Sequence, residues 1–348
     1  MARQLNWIHE FLSGQVRGVK AACIRRLLWL GSCVYELIIR FRNWYYDQGK
    51  GVHQAPVPVV SVGNLTVGGT GKTPTVEYIA RFYRERDIQV CIISRGYGAS
   101  QGINDEYLML AETLPDVPHL QGANRVELAN VAVEELESEL IILDDGFQHR
   151  KLKRDLNIVL IDATNPWGYG YLLPRGLLRE PISSLRRADG IIITRADQAP
   201  TERIIRRIKQ HNRTAPVMLA SHAPSGLSRF GGETKSVTVL NQREIALCCG
   251  VGNPKAVANT LESLGAKIVA ERTFPDHHEY THADIESLTA WASQLPQDCW
   301  IITTHKDAVK IRLAELGGRE LWTLQVRLKI IAGEDELKKL LLRGFSLA

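Results

Sequence analysis

Short, uninterrupted apolar runs alternate along this chain with longer stretches in which apolar residues recur every three or four positions. Residues 57–62 (VPVVSV), 88–93 (IQVCII), 140–143 (LIIL), 157–161 (NIVLI) and 190–194 (GIIIT) are of the first kind. Runs of this length, apolar on successive positions and separated by helical intervals, predict a parallel sheet covered on both faces. Ligands of such sheets lie beyond the carboxyl ends of the strands, so the residues just after each run are the candidates for chemistry. Around residues 215–233 (APVMLASHAPSGLSRFGGE) the texture changes to proline, serine and glycine, which predicts a boundary. A second α/β pattern follows, with runs at 245–249, 266–270 and 300–304, and the tail at 321–342 reads as a strand and a short helix packing back near the linker. The expected organisation is a helical segment at 1–50, a core domain at 51–222, a smaller α/β domain at 223–325, and a strand and helix at 326–348.

The first fifty residues have a different pattern. Leu27, Leu30, Val34, Leu37, Phe41 and Trp44 recur at helical spacing, flanked by Arg25, Arg26, Arg40 and Arg42. The densest apolar run, residues 27–39, has 13 residues and contains Glu36, short of the roughly 20 that a spanning helix needs. It starts late for a secretory signal, and no small-residue cleavage site follows it. An arginine-flanked amphipathic helix carrying Trp29, Trp44, Tyr45 and Tyr46 suits a membrane interface with anionic lipid. It suits equally a helix whose apolar stripe packs on the domain while its arginines are solvated. Both placements stay open on the residues alone.

Composition bounds this picture without changing it. The chain has 348 residues, 45% hydrophobic and 23% charged, which is room for two ordinary globular domains. Its six cysteines show no C-x-x-C spacing and several lie in apolar runs, as buried thiols of a reducing compartment do. The net charge of +5 is local: residues 1–50 hold Arg3, Arg17, Lys20, Arg25, Arg26, Arg40, Arg42 and Lys50 against Glu10, Glu36 and Asp47. Nothing beyond that charge suggests nucleic-acid binding. There are no repeats or low-complexity tracts, and no obligate protein partner is evident.

The chemistry is concentrated after the first strand. In VPVVSVGNLTVGGTGKTPTVEY an apolar run gives way to glycines and then to a segment that can be helical. That order is the context of a phosphate-binding P-loop, whose glycines let backbone N–H groups turn toward phosphate oxygens at a helix N-terminus. The loop is Thr66-Val67-Gly68-Gly69-Thr70-Gly71-Lys72-Thr73. Lys72 would reach the β- and γ-phosphates and Thr73 would sit on Mg²⁺. Pro74 is tolerated in the first helical turn. Thr66 stands where the common pattern has its first glycine.

Later strand ends add to the site. ELIILDDGFQH places Asp144-Asp145 after a strand, as expected of carboxylates that hold Mg²⁺ opposite Thr73. Arg95-Gly96-Tyr97-Gly98 would bring a guanidinium near phosphate, or is a plain turn. Asp105 offers a carboxylate that can take a hydroxyl proton, or caps a helix. Residues 164–181 (TNPWGYGYLLPRGLLREP) predict an ordered loop whose Arg175 and Arg179 can clamp an anion. Thr194-Arg195-Ala196-Asp197 approximates the [NT]-K-x-D guanine-reading motif, or is a strand end with a cap. Gly250-x-Gly252 reads as a tight turn, and of the adjacent His277 and His278 one suits a substrate contact better than both suit a metal. TTHKDAVK, residues 303–310, is a further polar cluster at a strand end.

Taken in order, SVGNLTVGGTGKTP, SRGYG, DDGFQH, LLPRGLLREP, CGVGNP, FPDHH and KDAVK resemble the tetraacyldisaccharide 4'-kinase (lipid A 4'-kinase) family over residues 57–310. Thr66 is what that family shows. The resemblance implies a P-loop-containing α/β/α sandwich with a second, smaller α/β/α domain joined by a short two-stranded linker. It implies ATP- and Mg²⁺-dependent phosphorylation of the 4'-hydroxyl of tetraacyldisaccharide 1-phosphate, giving lipid IVA in lipid A biosynthesis. The expected setting is the cytoplasmic face of the bacterial inner membrane, with the protein peripheral on an anionic surface. Carried over by position, Asp105 is the catalytic base, assisted by His277. Asp144 and Asp145 are the metal-side acids, and Arg125, His149, Arg179 and Glu180 are substrate-side or network positions. The competing expectations are a P-loop GTPase switch or metallochaperone, motivated by Thr194 to Asp197, and a membrane-bound scaffold with a degenerate nucleotide site.

Overall fold

The computed structural model describes residues 10–96 and 105–346. Tyr97 and Gly98, named above with Arg95, lie outside them, as does Arg3. The chain forms two compact units, one comprising residues 10–96, 113–222 and 328–346, the other residues 105–112 and 223–327. The chain crosses from the first to the second within the strand Val217–Ser228 and returns within Arg319–Ala332.

The larger unit is built on parallel strands in the order Val217–Ser228, Gly190–Thr194, Leu156–Asp162, Val59–Asn64, Leu140–Asp144, Val90–Ser94, His119–Gln121. Neighbouring residues on a strand point to opposite faces. Here both of each pair are buried, Val59 with Val60, Ile92 with Ile93 and Ile141 with Ile142, so each face needs a cover. On one face Ala129 and Ala132 of the helix Arg125–Glu134 pack on Val59, Ile93, Ile141 and Leu143. Elsewhere Ile204 and Ile208 of the helix Glu202–His211 join Val159, Ile161, Ile191 and Ile193. That arrangement is the expected reason for runs with no polar alternation. The C-terminal helix Glu334–Ser346 returns to this unit, where Tyr83 donates its hydroxyl to the Leu341 carbonyl at 2.7 Å.

The smaller unit repeats the plan with parallel strands ordered Lys267–Thr273, Glu244–Cys249, Trp300–Thr304 and Arg319–Ala332. Its strands are covered on one side by Ala258 and Leu261, and on the other by Leu288 and Ala292. Cys248 and Cys249 lie in its core and Cys91 in that of the larger unit. Burial pushes each of these thiols up to about 12, so they remain protonated filler.

The N-terminal helix Val19–Asp47 settles one alternative. Its buried positions include Ser32, Ile39 and Asn43, spaced as one helical face. Ser32 donates to the Leu172 carbonyl at 2.8 Å, and Tyr35 donates to the Arg179 carbonyl at 3.0 Å. The apolar stripe of Leu27, Leu30, Val34, Leu37, Phe41 and Trp44 points outward, each of the six more than half exposed. The helix therefore docks by its small and polar face, not its apolar one. Among the described residues no helix is long and apolar enough to cross a membrane.

Candidate active site

The P-loop runs from the end of the strand Val59–Asn64 to the helix Lys72–Arg84. Asn64 shapes its start by donating to the Thr66 carbonyl at 2.6 Å. Gly71 ends it in the left-handed region, at φ +84, where a Cβ would stand 2.5 Å from the His222 imidazole. Only glycine meets both conditions. The segment Thr194 to Asp197 holds the loop from behind. Thr194 donates its hydroxyl to the Thr70 carbonyl at 2.9 Å, while Arg195 donates to the Gly69 carbonyl at 3.1 Å and pairs with Asp162. Thr194 and Arg195, two of the residues that suggested guanine reading, are thus engaged in bracing the P-loop backbone.

Charge converges on Asp145, just beyond the strand Leu140–Asp144. Lys72 Nζ stands 3.7 Å from its Oδ1, and Arg179 donates to its Oδ2 at 2.7 Å. Arg125, 2% exposed, donates to its backbone carbonyl at 3.1 Å. Burial acts to raise the Asp145 pKa, but Lys72, Arg179 and Arg125 outweigh it and hold the carboxyl below its ordinary value. Asp144 is 6% exposed at the strand end, in register with Val62. Thr73 lies in the first turn of the P-loop helix, partly exposed. His149 is driven down to about 4, chiefly by burial and then by Arg125 and Arg154, and is therefore a neutral imidazole at physiological pH.

Two hard carboxylates and a threonine hydroxyl beside a P-loop fit Mg²⁺, which takes one or two carboxylates and fills its remaining positions with water and phosphate oxygens. Buried Asp145 Oδ1 and Thr70 Oγ1 have no hydrogen-bond partner among the described residues, as expected of groups built to face a ligand. No cluster of three or more His, Cys, Asp or Glu suited to an all-protein metal cage occurs among the described residues.

Glu180, one residue on from Arg179, serves another purpose. Its carboxylate is fully buried and accepts from Arg42 at 2.8 Å, Asn43 at 3.0 Å and Arg187 at 2.7 Å. Arg42 and Asn43 belong to the N-terminal helix, so Glu180 clasps that helix to the P-loop unit. Burial acts to raise its pKa, but Arg187 and Arg42 prevail and lower it. A depressed carboxyl contributes stability above its unfolded pKa and loses it as pH falls through the folded value. Glu180→Ala would leave the mostly buried Arg187 guanidinium, with half-buried Arg42 beside it, without its acid and is expected to destabilise the protein by about 3 kcal/mol, measured by urea unfolding. A change below about 0.5 kcal/mol would contradict the clasp.

The smaller unit carries the second group of candidates. Asp105 opens the helix Asp105–Thr113, and its Oδ2 receives His277 Nδ1 at 3.0 Å and Lys310 Nζ at 3.3 Å. No hydrogen bond occupies its Oδ1 among the described residues. Burial acts to raise the Asp105 pKa, and the His277 and Lys310 interactions overcome it, so the group stays ionised below its ordinary value. His277 occupies a left-handed conformation, φ +59, that aims its ring at Asp105. His278 instead stacks on Phe274, with ring centres 4.7 Å apart, and bonds Asp284 at 3.1 Å. Of the adjacent pair, His277 meets the carboxylate and His278 packs. Asp307, in the KDAVK run, is buried and accepts from Gly250 N, Tyr280 and Thr304. It pins the Gly250 turn.

A P-loop with a lysine and an acid pair, together with a separate carboxylate–histidine pair, is the equipment of phosphoryl transfer to a hydroxyl. The model of the tetraacyldisaccharide-1-P 4'-kinase family matches residues 24–346. The chain belongs to that family. It is 38% identical over 335 residues to the tetraacyldisaccharide 4'-kinase of Anaeromyxobacter dehalogenans strain 2CP-C, covering 89% of this chain and 88% of that protein. The same enzyme from Syntrophus aciditrophicus is 37% identical, with 82% and 84% covered. A crystal structure of LpxK from Aquifex aeolicus in complex with ATP superposes with a TM-score of 0.76 at 34% identity, covering 92% of this chain and 99% of that one. The protein is accordingly a kinase that phosphorylates a hydroxyl of the lipid A disaccharide, and the GTPase reading falls away. Among residues that carry the site, Arg195, Asp162, His222, Lys306 and Lys310 were not assigned their parts by sequence. Their only signal was position after a strand.

Proposed function

We propose that this lipid kinase uses ATP with Mg²⁺ and transfers the γ-phosphoryl to the 4'-hydroxyl of tetraacyldisaccharide 1-phosphate. The observation that carries the proposal is the Asp105–His277 contact at Oδ2, which among the described residues leaves the other oxygen of an ionised acid open to accept a proton from a hydroxyl. Lys72 would bind the β- and γ-phosphates, and the Thr66 to Gly71 backbone would cradle them. Thr73, Asp144 and Asp145 would hold Mg²⁺, which when bound neutralises charge developing on the phosphate oxygens. Arg179 holds Asp145 in place, and Arg125 fixes its backbone. His149, kept neutral, offers a hydrogen bond rather than a charge to substrate. Asp105 Oδ1 would take the hydroxyl proton while His277 orients the carboxylate.

The test is incubation with γ-labelled ATP and tetraacyldisaccharide 1-phosphate, scored for label on the lipid. Label on the lipid, with ATP preferred to GTP, is the expected result. ATP hydrolysis without lipid phosphorylation, or none of either, would overturn the reading.

The setting we propose is a peripheral one, on the anionic cytoplasmic face of the inner membrane. Support comes from the outward stripe of Leu27, Leu30, Val34, Leu37, Phe41 and Trp44, which no element among the described residues covers, beside Arg26 and Arg40. The triple substitution Leu30→Glu, Leu37→Glu, Phe41→Glu touches no buried side chain, and each change removes about 1.5–3 kcal/mol of available burial. It is expected to abolish co-sedimentation with anionic vesicles at unchanged thermal stability. Undiminished sedimentation would refute the interface.

A further inference from the structure

The cluster at residues 303–310 has a role that the transfer mechanism above does not use. Its helix, His305–Ile311, presents Lys306 and Lys310 one turn apart toward the Asp105–His277 pair. Lys310 meets Asp105. Lys306 Nζ lies 3.0 Å from His277 Nε2 and 2.7 Å from Asp276 Oδ1. An ammonium has donors only, so His277 Nε2 must be the acceptor in that contact. The remaining ring proton is then on Nδ1, where it is donated to Asp105 Oδ2 at 3.0 Å.

We propose that Lys306 is a positioning residue for phosphoryl transfer: by donating to His277 Nε2 it opposes protonation of the ring there and holds it in the Nδ1–H form that orients Asp105. The inference rests on the reading of Asp105 as the proton acceptor. It also sharpens that reading. With Nδ1 already protonated and Nε2 already capped, His277 has no open site for a proton. The hydroxyl proton therefore ends on Asp105 Oδ1 and is not relayed through the ring. Protonating His277 at Nε2 would set an N–H against the ammonium, so each imidazolium formed costs the Lys306 contact. The charged and titratable groups facing His277 are Asp105 from its helix, Asp276 from the ring's own loop, and Lys306 from the third element; Lys310 acts at one remove, through Asp105. The Asp105 bond above all, with Asp276, favours the imidazolium and prevails, raising the His277 pKa, while burial and the lysine oppose it. Removing the lysine tips that balance toward the charged ring.

The test uses full-length protein with ¹⁵N-labelled histidine, His277 being assigned from the signal missing in His277→Gln. In the wild type the expected spectrum shows a protonated Nδ1 and an unprotonated Nε2. In Lys306→Met the titration of His277 is expected to move to higher pH, and the upper acid limb of kcat, the one due to His277 and distinct from the lower limb of Asp105, to move with it. At neutral pH kcat should fall about tenfold, the worth of one charge-assisted hydrogen bond, with KM for ATP unchanged. Lys306→Arg, which keeps a donor, should restore most of both. An unchanged His277 titration and tautomer in Lys306→Met would overturn the proposal. So would a loss in that variant confined to KM. Failure of the Asp105 reading is separable, because it would appear as near-normal turnover of Asp105→Asn while the ring titration still followed Lys306.

Discussion

Lys72→Ala is expected to lower kcat by about 10²–10³-fold, the scale of losing one preorganised charge directed at a developing negative charge. The protein should remain folded, for a reason that lies in the arrangement around Asp145. That carboxylate is served twice, by Lys72 at 3.7 Å and by Arg179 at 2.7 Å. Removing the lysine leaves the shorter and better-directed partner in place, so no buried charge is stranded. The loop itself is held by Asn64, Thr194 and Arg195 through backbone carbonyls, none of which involves the Lys72 side chain. Single-turnover transfer of the γ-phosphoryl, compared with the thermal melt, separates the two effects. Turnover within threefold of wild type would remove Lys72 from the mechanism.

Asp105→Asn is the second large effect, an expected fall in kcat of about 10²–10⁴-fold, the usual contribution of a positioned acid or base. The amide keeps the size of the side chain and an oxygen for His277, so the helix and the turn at His277 should survive. What disappears is the proton acceptor. KM for ATP should stay the same, since Asp105 belongs to the unit that does not carry the P-loop. The pH dependence carries a sign. A base whose pKa is lowered stays ionised as pH falls, so the wild-type acid limb due to Asp105 lies below the ordinary aspartate value. Lys310→Met removes one of the lowering charges, and that limb should move up. An acid limb that moves down, or Asp105→Asn with normal kcat, would contradict the assignment.

How much of this was legible in the sequence follows from where each contact is made. The P-loop was readable because its chemistry needs contiguous residues: strand, glycines, Lys72 and Thr73 are neighbours in the chain. The parallel sheets were readable because strands covered on both faces cannot hide their continuous apolar runs. The proposed base is different. Nothing local to Asp105 separates a base from a helix cap, and its assignment as base comes through resemblance. Its partners His277 and Lys310 are 172 and 205 residues away along the chain. The apolar stripe of the N-terminal helix was visible, yet its direction was not. That direction is set by Ser32, Tyr35, Ile39 and Asn43, which look unremarkable until Leu172, Arg179 and Glu180 meet them. Thr194 to Asp197 misled for a related reason. The motif was read for its side chains' resemblance to a base reader, and two of them, Thr194 and Arg195, are committed to carbonyls of the P-loop.

One short stretch joins several of these features. Val67 N–H donates to the Leu177 carbonyl at 2.8 Å and Arg179 N–H to the Leu65 carbonyl at 2.7 Å, so residues 177–179 are laced to the entrance of the P-loop. Just past that lacing the chain bends, and there Arg179 meets Asp145 while Glu180 meets the helix that presents the apolar stripe. Two contacts to different elements thus spring from adjacent residues on one anchored backbone. A residue added or removed between Leu178 and Glu180 would carry both side chains off their partners at once, leaving a buried acid without its arginines. The stretch is therefore constrained in length as well as in residue type.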